Sequence, residues 1–535
     1  MNQKLLLGDE AIAQAALDAG LSGVYAYPGT PSTEITEYIQ GSLEARTRYI
    51  HSDWACNEKT AMEAALGMAY AGKRTLVCMK HVGLNASADA FMNTAITGVN
   101  GGMIIVAADD PSMHSSQNEQ DSRYYGKFAM LPVMEPSSQQ EAYDMVWAGY
   151  ELSERVKLPV LMRVTTRMAH SRTTIVQRPA IAPRTVSFPE DRRSFILLPV
   201  FARMQYKKLI AVQPELQTAS TDMGFNRFLP GSDTSLGIIT TGIGYNYLME
   251  NFPDGCPYPV VKIVQYPIPQ AYISKLVGMC SRVLVIEEGM PFVEEQLKGL
   301  VPHSAFTVEG RLSGLLPRDG ELSPYLVAKA LGLNPVVTGS VPDVVVNRPP
   351  ALCKGCGHQD MYNALNAVMA QYENGRVFGD IGCYTLGALP PFKAIDGCVD
   401  MGASVTMAKG ASDAGVRPAV AVIGDSTFTH SGMTGLLDAV LEKTPMTVII
   451  SDNSTTAMTG GQDSHGYGIL ARICLGLGVE EEHLKVLVPL KKNHEENVRI
   501  LAGEVAYEGL SVVIFQRECV QTAARRLRAE KQNKK

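Results

Sequence analysis

The sequence predicts an α/β protein of three doubly wound parallel-sheet domains, and three observations carry that reading. Short apolar runs rich in β-branched residues alternate with helix-length segments, the βαβ rhythm of a parallel sheet covered on both faces. Several runs stop at Asp-Asp, Gly-Asp or Asp-Asn, residues suited to turns. Two Pro-containing stretches, 170–195 and 334–350, interrupt the rhythm and divide the chain.

Residues 1–20 read as the start of an amphipathic helix, with Leu5 to Leu7 followed by Asp9 and Glu10, and not as a secretory leader. Residues 23–27 form a strand that enters the turn 28–31, and 58–71 an Ala-rich helix. Strands follow at 75–79, at 103–107 before Asp109-Asp110, and at 159–164. Arg172, Arg178, Pro179, Pro183, Arg184, Pro189, Arg192 and Arg193 mark a linker, so 1–180 is one domain and 181–235 a linker with irregular structure. The second domain, 236–340, carries strands at 235–241, 260–264 and 283–287. The third, 341–535, carries them at 377–380, 419–424, 447–452 and 511–516. The tail 525–535, with six basic residues and one Glu, reads as a solvated helix end.

At 535 residues, 46% apolar and 19% charged, the chain has material for several packed cores. A net charge of −6 argues against a nucleic-acid binder. No apolar run approaches the roughly 18 residues of a membrane span, so a cytoplasmic location is expected. The ten cysteines then read as core fillers, reactive thiols or metal ligands.

The strongest chemical signal is AVAVIGDSTFTHSGMTGLLDAVLEKTPMTVIISDNSTTAMT, residues 419–459. Two strands flank one helix. Asp425 follows the first strand and Asn453 the second, 28 residues on, so neighbouring parallel strands would bring both to one crevice at their C-terminal ends. A hard divalent cation such as Mg²⁺ wants a carboxylate, an amide or carbonyl oxygen and phosphate oxygens. Asp425, Asn453 and the Thr455 carbonyl can supply the protein's share, with Ser426 and Thr427 presenting donors to a diphosphate. Either dipeptide alone would be an ordinary turn.

This unit is similar to the thiamine-diphosphate motif. With YPGTPSTE (27–34), NEKTAMEAALGMAYAGKR (57–74), MKHVGLN (79–85), GVNGG (98–102), ADDPSMHSSQNEQDSRYY (108–125), DIGCYTLG (380–387) and DNSTTAMTG (452–460), the chain resembles the large, alpha subunit of indolepyruvate ferredoxin oxidoreductase. The resemblance implies domains of the thiamine-diphosphate-dependent 2-oxoacid oxidoreductase type: pyrimidine-binding, transketolase-C-like and diphosphate-binding. It implies thiamine diphosphate held through Mg²⁺ on Asp425, Asn453 and Thr455, with Gly424, Ser426, Thr427, Gly382, Met401 and His430 around it. Glu58 would set its acid against N1′ of the cofactor's aminopyrimidine, Glu63 being the alternative in the same helix. Glu58 and Asp425 would then meet between two copies of the chain. Thr30 either contacts substrate or cofactor or caps the following helix. His81 and Asn85 either reach the substrate or serve the fold. Met401 either holds the cofactor bent or simply packs.

Cys353 and Cys356 form a CxxC, Cys383 follows a strand, and Cys519 follows the last one. By resemblance these four ligate a [4Fe–4S] cluster; zinc or an inert site are the alternatives. Lys354 stands where the family usually has Pro. The family's ferredoxin-like domain, with its two CxxCxxC runs, is not in this sequence, so the expected form lacks it and passes electrons to another subunit or directly to a soluble carrier. The implied activity is oxidative decarboxylation of an aryl 2-oxo acid to acyl-coenzyme A and CO₂, electrons going to ferredoxin or a similar carrier. A smaller beta subunit and a homodimer of this chain complete the implied enzyme. A non-oxidative decarboxylase or carboligase with structural cysteines is the other reading.

Overall fold

The computed structural model describes residues 2–191, 193–300, 305–334, 341–346 and 350–533. Arg192 and most of the boundary expected at 334–350 lie outside the described residues. The chain divides into two compact units, Met1–Gly339 and Ser340–Lys535.

Among the described residues, the first unit holds two large sheets and one two-stranded sheet. In the larger, strands Gly23–Ala26, Thr75–Lys80, Met103–Asp109, Val160–Thr165 and Val133–Met134 lie side by side and parallel, and Gln265–Tyr266 closes the edge antiparallel. The three central strands are buried along their whole length, which is why their sequences are mostly apolar without alternation, Arg163 being the charged exception away from their ends. In the second sheet Gly237–Thr241 lies between Val260–Ile263 and Arg282–Ile286, all parallel.

The two large sheets of this unit are tied by a buried charged network. Arg123 reaches Asp121 (2.9 Å), Glu287 (3.0 Å) and the Tyr266 hydroxyl (3.2 Å). Arg163 bridges Asp109 and Glu135. Both arginines are fully buried, and burial pushes Glu287 up to about 7 despite Arg123. Removing one member strands its partners, so Arg123→Ala is expected to cost about 3–5 kcal/mol, read as a lower urea midpoint.

Three sequence expectations are corrected in this unit. Leu5 to Leu7 belong to a strand, Gln3–Leu7, antiparallel to Arg172–Val176, a strand within the stretch whose sequence reads as linker. The helix that follows, Gly8–Asp18, is buried on nearly every side and is not amphipathic. Two of its buried polar groups are paired: Gln14 donates to Asp18 (2.9 Å), and Asp18 accepts from the Tyr143 hydroxyl (2.7 Å). Within the supposed irregular stretch, Pro199–Asp222 is a 24-residue helix. Only a thin line, including Leu209, Leu216 and Ala219, is buried, so its apolar signal is weak.

The second unit is a six-stranded, wholly parallel sheet ordered Gly397–Cys398, Arg376–Gly379, Ala419–Gly424, Met446–Asp452, Leu510–Gln516 and Leu484–Leu487. Its helices include Gly357–Met369, Ala403–Asp413, Met433–Leu441 and His494–Ala506. The C-terminal residues Val520–Asn533 are helical and largely exposed. No described helix is long and apolar enough to cross a membrane.

Candidate functional site

Ala419–Gly424 and Met446–Asp452 are adjacent, with Gly424 opposite Ser451. The next residues, Asp425 on one side and Asp452-Asn453 on the other, therefore leave the sheet together. Asp425 is 2% exposed. Burial, and then the neighbouring Asp452, push its carboxyl up to about 7, with the Ser464 hydroxyl pulling the other way. Its Oδ2 is buried with no hydrogen-bond partner. Asn453 Oδ1 accepts the Thr455 N–H at 3.1 Å and keeps a second lone pair. Thr455 is buried, with its hydroxyl on the Gln462 carbonyl (2.9 Å). Ser426 Oγ lies 2.9 Å from Thr456 Oγ1, and Thr427 Oγ1 donates to the Ile381 carbonyl (3.3 Å).

His430 sits in one π-helical turn, Phe428–Gly432, between Asp425–Thr427 and Met433–Leu441. The helix thus starts directly at Asp425. Such wide turns recur at functional sites because they re-aim side chains. His430 Nδ1 lies 2.6 Å from Ser431 Oγ. Met401 precedes Gly402, whose φ of +95° and close approach to Ser431 (2.5 Å for a added Cβ) seat that turn on the His430 segment.

Sequence reasoning missed Asp380 and Tyr384. Asp380 accepts from Ser404 Oγ (2.6 Å), the Gly402 N–H (3.2 Å) and the Tyr384 hydroxyl; burial pushes it up to about 7. The Tyr384 ring lies against Gly382 and Gly424, where a Cβ would stand 2.3 and 2.6 Å from it. Those glycines make room for a ring, a requirement the local motif does not display.

Cys353, Cys356, Cys383 and Cys519 line one cavity of about 130 Å³, with Asn453 and Arg517. The Cys519 N–H donates to the Asn453 carbonyl (3.0 Å), so the cysteine cavity and the strand end carrying Asn453 share a wall. Burial first, then the other three thiols and Asp425, push Cys383 up to about 12; burial, with Cys353 and Cys519, also raises Cys356. Four thiols so packed ionise together only around a positive centre.

In the first unit, Glu58, Thr30 and His81 gather near strand C-termini, where open α/β sheets bind ligands. Glu58 opens the helix Glu58–Tyr70 behind the Asn57 cap, whose Oδ1 accepts the Thr60 N–H (2.8 Å). It is buried against Gly83: a Cβ there would lie 2.6 Å from Glu58 Oε1. Gly83→Ala is therefore expected to displace the carboxylate and cut turnover at least about tenfold with little change in melting temperature. Glu63, the alternative, lies on an exposed face paired with Lys59. Thr30 is not the helix cap; Thr33–Gly41 begins after Ser32, and Thr33 Oγ1 accepts the Gly29 N–H (3.0 Å). His81 is buried with Nε2 at 3.2 Å from Asn118 Oδ1, and Asn85 accepts from the Tyr125 hydroxyl (2.7 Å). Lys80, also missed, is buried and pushed down to about 8 by burial, with its ammonium on the Ser115 carbonyl.

Residues 380–471 match the family model of the thiamine pyrophosphate enzyme C-terminal TPP-binding domain. Residues 14–194 match that of the pyruvate flavodoxin/ferredoxin oxidoreductase thiamine-diphosphate-binding domain. Among curated proteins, the indolepyruvate oxidoreductase subunit IorA of Methanothermobacter thermautotrophicus is 37% identical, covering 96% of this chain and 86% of the relative. That of Archaeoglobus fulgidus is 36% identical (98% and 88%), and that of Pyrococcus abyssi 35% (96% and 85%). A solved 2-oxoglutarate:ferredoxin oxidoreductase from Magnetococcus marinus aligns with a TM-score of 0.49 at 15% identity, over 62% of this chain and 65% of that one.

Proposed function

Because the chain belongs to the family of indolepyruvate oxidoreductase IorA subunits, we propose that it is the catalytic subunit of a thiamine-diphosphate-dependent 2-oxoacid:ferredoxin oxidoreductase. Its substrate is an aryl 2-oxo acid such as indolepyruvate, its products an acyl-coenzyme A and CO₂. Electrons leave through iron–sulfur chemistry to ferredoxin or a similar carrier. A smaller beta subunit and a second copy of this chain complete the enzyme, in the cytoplasm.

The observation that carries this reading is the unpartnered, buried Asp425 Oδ2 at the mouth of adjacent parallel strands, one of which also borders the cysteine cavity. The donor set fits a hard cation: Asp425, Asn453 and the Thr455 carbonyl are all oxygen ligands. Bound thiamine diphosphate supplies the nucleophilic carbon that adds to the keto group and lets CO₂ leave. Asp425 and Asn453 anchor the diphosphate end through Mg²⁺, and Ser426 and Thr427 offer hydroxyl and N–H donors to it. Gly424 and Gly382 seat the Tyr384 ring, which steadies Asp380 and through it the Met401 turn. Glu58 holds a proton against the pyrimidine end, and Thr30 and His81 orient the 2-oxo acid.

Cys353, Cys356, Cys383 and Cys519 line one cavity and would hold the four corners of a cubane. Anaerobically purified protein is expected to carry about four iron and four sulfide per chain. Cys383→Ser should lose that iron and the ferredoxin-linked oxidation of indolepyruvate. Zinc in place of iron, or oxidation undiminished in Cys383→Ser, would reject the electron route.

A further inference from the structure

A second cluster lies in the first unit, formed by residues given no role above. Asp9 comes from the first turn of Gly8–Asp18, Glu34 from the first turn of Thr33–Gly41, and His170 from the end of Thr166–His170. One ligand atom from each lies within 4.8 Å of the other two. His170 Nε2 is 3.5 Å from Glu34 Oε1. Asp9 is wholly buried, and neither of its oxygens has a hydrogen-bond partner; Glu34 Oε2 has none either. The adjacent Glu10 is already used, accepting the Leu7 N–H (2.8 Å) and facing Arg172 (3.7 Å). A buried carboxyl with no donor is costly unless a proton or a cation meets it. Burial and the nearby Glu34 both raise Asp9, which marks how poorly the site tolerates its bare charge.

We propose that Asp9, Glu34 and His170 form a divalent-cation site of the zinc class. One imidazole with two carboxylates suits a first-row ion such as Zn²⁺ better than Mg²⁺ or Ca²⁺, which take oxygen. Glu34 and His170 are part-exposed, so the ion enters from solvent and keeps a water in its fourth position. Closing to bonds of about 2.0–2.2 Å requires only that these two surface side chains swing inward onto Asp9. The ion would pin the start of Thr33–Gly41, three residues beyond Thr30, to two neighbouring segments.

The test uses the full chain, stripped with chelator and titrated with Co²⁺ as the probe under excess Mg²⁺. Wild type should bind one equivalent more than His170→Ala or the surface variant Glu34→Gln. The extra equivalent should show a ligand-field band without a thiolate charge-transfer band, which separates it from cobalt on the cysteines. Affinity at this site should fall by more than about 100-fold in the variants, above the cost of losing one supporting hydrogen bond to a ligand. Asp9→Asn should abolish the extra equivalent yet melt no lower than wild type when metal-free. Equal cobalt stoichiometry in wild type and both surface variants would overturn the proposal, whatever the cysteines bind.

Discussion

Asp425→Asn is expected to abolish Mg²⁺-dependent retention of thiamine diphosphate while making the cofactor-free chain harder to melt above pH 7. Both effects follow from one carboxyl. Asp425 is 2% exposed and faces Asp452, and its folded-state value is pushed up to about 7 from an ordinary 3.8. The folded chain therefore holds a proton that the unfolded chain has released. Stability is lost as pH rises from about 4 through about 7, and the loss is complete above that. An amide cannot ionise and escapes the penalty, which at 1.36 kcal/mol per unit is of the order of 4 kcal/mol. The same proton competes with the cation, so Mg²⁺ affinity in wild type should climb with pH and level off above about 7. Asp380 is also raised to about 7, but it is common to both proteins and cancels in the difference. Calorimetry of both proteins at pH 6 and pH 8, with cofactor titrations, reads all three effects. A variant that binds cofactor normally, or is destabilised equally at both pH values, would show that Asp425 is an ordinary turn residue.

The strands around Asp425 were legible because a sheet buried on both faces demands apolar residues without alternation. Ala419–Gly424 and Met446–Asp452 meet that demand and stop at residues of another chemistry. Which strands touch is not written locally. Asn453 reaches Cys519 only because Leu510–Gln516 pairs beside Met446–Asp452, across some 60 residues of sequence. The same holds for Gly382, Gly424 and Gly83, whose need for a glycine is not apparent until the ring or carboxylate packed on each is seen. The helix Pro199–Asp222 escaped for a different reason: an element with few buried positions carries little periodic signal, and Pro214 inside it argues for a break. Likewise Gly8–Asp18 hides its buried nature, because Asp9, Gln14 and Asp18 read as solvent-facing until their surroundings are known.

Glu58→Gln is expected to bind thiamine diphosphate as wild type does and to lose turnover by about 10²–10⁴-fold, the range for a positioned acid–base group. The substitution keeps the volume of the side chain, and the helix keeps its Asn57 cap, so packing against Gly83 is preserved. What changes is the proton the side chain can offer to the pyrimidine end. The discriminating measurement is exchange of the bound cofactor's C2 proton with deuterium, which should slow in parallel with turnover. Glu63→Gln is the control. It removes an exposed carboxylate paired with Lys59 one helical turn away, a contact of about 0.3–0.5 kcal/mol at most, and should leave exchange and turnover near wild type. If Glu58→Gln instead melted early or lost cofactor, its buried position would be serving the fold. If it exchanged at the wild-type rate, the acid against the pyrimidine would have to come from another residue. Gly83→Ala links the two cases: it leaves the carboxylate chemically intact and moves only its seat, so a slowed exchange there with normal cofactor affinity would tie the rate to where Glu58 is held.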